Sequence, residues 1–148
     1  MKNIIIIGGT KGIGKAIVSE VVDNNNVVCL SRNQTHFNHD NYTFHNFDAL
    51  VDDYPDFDSV DCLIYCPGSI NLKPISTLSL DDFRNDFELN VIGAVRAIKK
   101  YLNLLKKSES ASILLFSTVA TKLGMPYHAS VSVAKSGIDG LVKTLGSE

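Results

Sequence analysis

The stretch NIIIIGGTKGIG, Asn3 to Gly14, decides how the rest of the chain is read. Residues 3–7, NIIII, form a continuous apolar run that glycine ends abruptly, the pattern of a short strand buried on both faces of a parallel sheet. The following GIGKAIVSEVVDNN places Ile13, Ile17, Val18, Val21 and Val22 at helical spacing, and DNNN stops the helix. A glycine-rich turn therefore joins a buried strand to an amphipathic helix. Gly8, Gly12 and Gly14 give the pattern G-x-x-x-G-x-G. Glycine removes the Cβ where the chain turns tightly and where a pyrophosphate would touch backbone. The unpaired N–H groups and positive dipole end of the helix start suit phosphate. Gly8, Thr10, Lys11, Gly12, Ile13 and Gly14 form the candidate phosphate loop; a plain tight turn is the alternative.

Working outward, VVCLS (27–31), YTFHNF (42–47), VDCLIYC (60–66) and ASILLFSTV (111–119) read as four further strands. LSLDDFRNDFELNVIGAVRAIKKYLNLLKK (78–107) reads as one long helix, with Ser79 as N-cap ahead of Asp81 and Asp82. The chain is helical again from about Ser130 to its end. DALVDDYPDFDS (48–59) is too short and too broken by proline for a full crossover helix, so a short turn or a single helical turn must link the third and fourth strands. NQTHFNHDN (33–41) is a polar surface loop. Strands alternating with crossovers predict an α/β, doubly wound parallel sheet, a Rossmann fold, in a single domain over 1–148.

Size and composition fit that reading. The chain has 148 residues, 45% hydrophobic and 20% charged. Its net charge of −2 lacks the basic excess of a nucleic-acid binder. No apolar run approaches the roughly 20 residues that span a bilayer, and a cytoplasmic location is expected. Cys29, Cys62 and Cys66 form no C-x-x-C pair, and the four histidines do not fall at zinc-site spacing, so no metal is expected.

The second strand ends CLSRN. A site that prefers NAD places a carboxylate here to take the ribose hydroxyls. Ser31 and Arg32 stand there instead. An arginine suits a 2′-phosphate by charge and planar donors, and Lys11 adds a second cation. NADP(H) is therefore expected over NAD(H); a solvated loop charge is the alternative for Arg32.

With these motifs in order, the sequence resembles the short-chain dehydrogenase/reductase family over essentially its whole length. The resemblance rests on GGTKGIG (8–14), Asp48, YCPG (65–68), LNVIGA (89–94), STV (117–119) and AKSGIDGLVKTL (134–145). It implies that Asp48 faces the adenine, that Cys66 and Gly68 line the cofactor, and that Asn90 helps to hold a water in a proton relay. It also implies that Lys135 binds the nicotinamide ribose. YCPG stands where the family has Asn-Asn-Ala-Gly, so only Gly68 matches outright. The hydroxyl that polarises the substrate carbonyl falls on Thr118, with Ser117 beside it. The family continues through further strands and a substrate-covering segment, so the chain is expected to be C-terminally incomplete. Family members form homodimers or homotetramers, and the same is implied here.

One position breaks the pattern. The family's proton donor lies four residues before the lysine, where this chain has Val131. Valine has no proton to give. Tyr127 and His128 are the candidates to replace it; on one continuous helix Tyr127, Val131 and Lys135 would share a face, and His128 has an ordinary pKa near 6.5. Packing or capping of the helix start is the plainer role for both. The expected function is an atypical NADP(H)-dependent oxidoreductase acting on a small-molecule carbonyl or alcohol. The alternative is a non-catalytic NADP(H)-binding sensor or scaffold. A flavodoxin-like or receiver-type domain is a third, weaker reading, lacking the acidic strand ends it would need.

Overall fold

The structure, a computed structural model, describes residues 1–148. Its strands are β1 (Asn3–Ile7), β2 (Asn26–Ser31), β3 (Tyr42–Asn46), β4 (Cys62–Tyr65) and β5 (Ser112–Leu115). They form one sheet in the order β3-β2-β1-β4-β5, and β1 pairs in parallel with both β2 and β4. The helices are α1 (Gly12–Val21), α2 (Leu80–Phe87), α3 (Gly93–Leu105), α4 (Ala120–Leu123) and α5 (Ala129–Leu145). This is the parallel, helix-flanked sheet that the apolar runs and crossovers call for.

The chain forms two compact units: residues 1–67 with 96–114, and residues 68–95 with 115–148. In the first, β1 is the central strand, and Ile4, Ile5, Ile6 and Ile7 are all buried. Each such side chain contributes roughly 1.5–3 kcal/mol on burial. α1 presents Val18 to the core and ends in a short 3₁₀ turn at Val22–Asn24, so the helix stops slightly before its sequence pattern does. The link from β3 to β4 is a turn, as the proline-broken segment requires. Arg96 at the start of this unit's share of α3 holds it by donating to the carbonyls of Ala49, Leu50 and Asp52. Tyr101 donates to Pro55 O at 3.0 Å and packs edge-on to Tyr54. Cys29 is fully buried, and burial pushes its thiol pKa up, which leaves it a small core residue.

The second unit holds α2, α4 and α5. Ser79 caps α2 through a reciprocal box with Asp82: the Ser79 hydroxyl accepts from Asp82 N–H, and the Asp82 carboxylate accepts from Ser79 N–H. Two expectations are corrected here. The single long helix is broken by a π turn over Glu88–Ile92, and the turn contains Asn90. The strand expected through residue 119 stops at Leu115, because the chain beyond serves other partners: Phe116 O accepts from Lys135 Nζ at 2.8 Å, and Thr118 O accepts from Thr121 as α4 starts. Side-chain and helical bonds thereby replace a ladder.

Candidate active site and cofactor loop

In the first unit, the glycine loop has the backbone that its residues were read to permit. Gly8 has φ +78° and Gly12 φ +51°, conformations that L side chains rarely adopt. A Cβ on Gly14 would fall 2.3 Å from Gly8 O, so no other residue fits as α1 folds back over the turn. A Cβ on Gly12 would meet nothing within 4 Å, so the backbone there faces open space. Lys11 precedes α1 and makes no side-chain cap, and Ile13 is 62% exposed, so the first-turn N–H groups are accessible. Thr10 is buried and its hydroxyl lies 2.8 Å from that of Ser31, which ties the loop to the end of β2. Arg32 and Lys11 are exposed, and neither is in an ion pair. Asp48 is half-buried; its Oδ1 accepts from Leu50 N–H at 2.9 Å, which holds the carboxylate at the turn after β3. Cys66 N–H donates to Ile7 O at 2.9 Å, so the end of β4 stays beside the loop. A phosphate-bearing cofactor fits this cradle.

In the second unit, three residues expected to act together do converge. A Cβ on Gly68 would lie 3.1 Å from Asn90 Oδ1 and 3.5 Å from Lys135 Nζ. The bare glycine therefore leaves both polar atoms room. The amide of Asn90 is buried, with Nδ2 donating to Asp86 O at 2.8 Å and to Ser69 Oγ at 3.1 Å. Asn90 Oδ1 has no hydrogen-bond partner in the protein. A buried acceptor in that state is open to a donor from water or from a bound group. Thr118 Oγ1 accepts from Ala120 N–H at 3.3 Å, a role that leaves its own proton for another acceptor.

Ser117 is engaged differently. Its hydroxyl donates to Lys135 O at 3.5 Å, and its closeness to Asp139 is the main reason why the Asp139 carboxyl sits below the ordinary range, with Thr121, Lys122 and Lys143 adding to the effect. Asp139 lies one helical turn after Lys135, a spacing that could have flagged it.

The two replacement acids are not where a continuous helix would put them. α5 begins at Ala129, and Tyr127 precedes it with φ +65° and 59% exposure. The shared face of Tyr127, Val131 and Lys135 therefore does not exist. His128 occupies the N-cap position, and its Nδ1–H donates to Pro126 O at 2.6 Å. Both residues line a cleft of about 510 Å³ with Lys73, Ile75 and Met125; Asn90, Thr118 and Lys135 are not in its wall. Val131 itself is 4% exposed, packed into the unit.

Comparison with known proteins follows the same lines. The family described as short chain dehydrogenase matches residues 2–148. A 3-oxoacyl-[acyl-carrier-protein] reductase of Synechocystis is 29% identical over 92 residues, which is 62% of this chain and 37% of the relative. The chain thus spans well under half the length of that curated relative. The ligand-free aldohexose dehydrogenase of Thermoplasma acidophilum superposes with a TM-score of 0.86 at 23% identity, over 97% of this chain and 60% of the other. ElxO with NADP bound superposes with a TM-score of 0.82 at 23% identity, over 95% and 65%.

Proposed function

The chain belongs to the short-chain dehydrogenase family, and from that premise we propose that it is an atypical NADP(H)-dependent oxidoreductase of carbonyl or alcohol substrates. The observation that carries this reading is the convergence of Asn90 Oδ1 and Lys135 Nζ beside Gly68. A bound nicotinamide cofactor supplies the hydride.

The chain's own groups do the rest. In the first unit, the α1 N-terminus and the backbone at Gly8, Gly12, Ile13 and Gly14 bind the pyrophosphate. Arg32 and Lys11 take the 2′-phosphate, and the NADP of ElxO supports that preference by analogy. Asp48 and Cys66 flank the adenosine side. In the second unit, the Lys135 ammonium, steadied by Phe116 O, holds ribose hydroxyls. Thr118 donates to the substrate oxygen, with the Ser117 hydroxyl engaged at Lys135 O. Asn90 Oδ1 orients a proton-bearing group next to Lys135.

The proton that the family's tyrosine delivers has no source at Val131. A positioned general acid is worth about 10²–10⁴ in rate, or roughly 3–5 kcal/mol of barrier. The reaction is therefore slow, with its proton taken from solvent or relayed through solvent from His128 or Tyr127, which line a cleft whose wall does not include Asn90, Thr118 or Lys135. The half-exposed Val133 and Val142 on α5 support pairing with a second copy, as a homodimer or homotetramer. The lack of a proton donor at Val131 leaves a second reading, a cofactor-binding sensor or scaffold without chemistry.

NADPH oxidation against a panel of aldehydes, ketones and quinones separates the two. The expected result is slow turnover by the wild type that drops further in His128→Ala or Tyr127→Phe. NADPH binding with no oxidation of any panel member would leave the sensor reading standing.

A further inference from the structure

Asp86 is the most buried charged residue of the second unit, at 0% exposure. A carboxylate so placed demands partners. Its Oδ1 accepts from Ser69 Oγ at 2.5 Å and from Asn71 Nδ2 at 3.0 Å. The direction of these bonds has a consequence one residue further on. Because Oδ1 already accepts from Asn71, and a carboxylate only accepts, the Ser69 hydroxyl must spend its single proton on Asp86. The Ser69 oxygen can then only accept from its other neighbour. That neighbour is Asn90, whose Nδ2 lies 3.1 Å away. The second Nδ2 proton goes to Asp86 O at 2.8 Å, a carbonyl of the turn leading into the π turn. With both amide protons committed on one side, Asn90 must present Oδ1, and not NH₂, on the side of Gly68 and Lys135.

We propose that Asp86 is a positioning residue: through Ser69 it fixes which end of the Asn90 amide faces Lys135. The chain Asp86–Ser69–Asn90 is a polarity relay, one that keeps an acceptor beside an ammonium. An asparagine free to flip would turn its NH₂ toward the side of Gly68 and Lys135, and a water or hydroxyl held between the two could then only accept from both, with no acceptor on Asn90 to take its proton. The proposal rests on the reading of Asn90 and Lys135 as active-site groups, but its first test does not.

That test is hydrogen exchange of the Asn90 side-chain amide, followed by NMR in the wild type, Ser69→Ala and Asp86→Asn. Both wild-type amide protons should be protected, and each variant should speed exchange by about fivefold, the worth of one neutral hydrogen bond. Ser69 is only partly buried, so Ser69→Ala decides the matter if Asp86→Asn does not fold. Where turnover is measurable, each variant should lower kcat about tenfold to a hundredfold with the NADPH KM unchanged, and should lower it no further in an Asn90→Ala background. Unchanged amide exchange in both variants would overturn the proposal, as would losses that add to that of Asn90→Ala. Absence of turnover in the wild type would count against the oxidoreductase reading alone, since the exchange measurement still decides the relay.

Discussion

At the scale of single residues, the account turns on small differences of space and charge. Gly14→Ala would put a methyl group 2.3 Å from Gly8 O, where only backbone could move. It should destabilise the fold by about 1–3 kcal/mol, as overpacked sites do, and a urea titration would measure it. Lys135→Met should weaken NADPH about tenfold by removing one charge-assisted donor, read by calorimetric titration. Val131→Tyr is a harder substitution than the motif suggests. The valine is 4% exposed, so a ring there overpacks the unit and should lower stability by about 1–3 kcal/mol before it can supply a proton. The glycines were legible because their chemistry is the absence of an atom, and sequence states that directly. The partners of Asn90 were not: Ser69 and Asp86, with Asn71 bonded to Asp86, are polar residues apart in the chain, and only folding reveals that they share hydrogen bonds.

At the scale of elements, the strands and helices were legible wherever one period ran unbroken, as in Ile4–Ile7 or the capped start of α2. They were illegible where backbone geometry changed without a change in hydrophobicity. A π turn adds one residue to a helical turn, and the apolar pattern of ELNVI passes through it unaltered. The start of α5, expected at about Ser130, falls at Ala129, but the break just before it was illegible: Tyr127 takes a positive φ that a tyrosine does not advertise. Two measurements test this level. Ser79→Ala removes the α2 cap and should cost about 1 kcal/mol. Acid should loosen the same element. The backbone bond from Ser79, then Lys73, hold the Asp82 carboxyl below its ordinary range, and Asp61 and Asp139 are lowered as well. A depressed carboxylate contributes stability that is complete above its unfolded pKa, about 4, and is lost as pH falls through the folded value. Stability should therefore decline below about pH 4, and Asp82→Asn should flatten the decline.

At the scale of the whole molecule, the family match over residues 2–148 and the parallel sheet establish what kind of protein this is. No helix is long and apolar enough to cross a membrane. The family was legible because its motifs come in a fixed order, each on the element that the fold requires. The substrate was not, because the residues that match describe cofactor and proton handling, and the first curated relative extends well beyond the matched segment. The central claim is that the glycine loop with Arg32 makes this an NADP(H) protein. The most direct measurement is a calorimetric titration of the chain with NADPH and with NADH, repeated on Arg32→Ala. The account predicts that NADPH binds about tenfold or more tightly than NADH, the worth of one charge-assisted contact, and that Arg32→Ala erases the difference. Equal affinity for the two cofactors, or binding of neither, would contradict it.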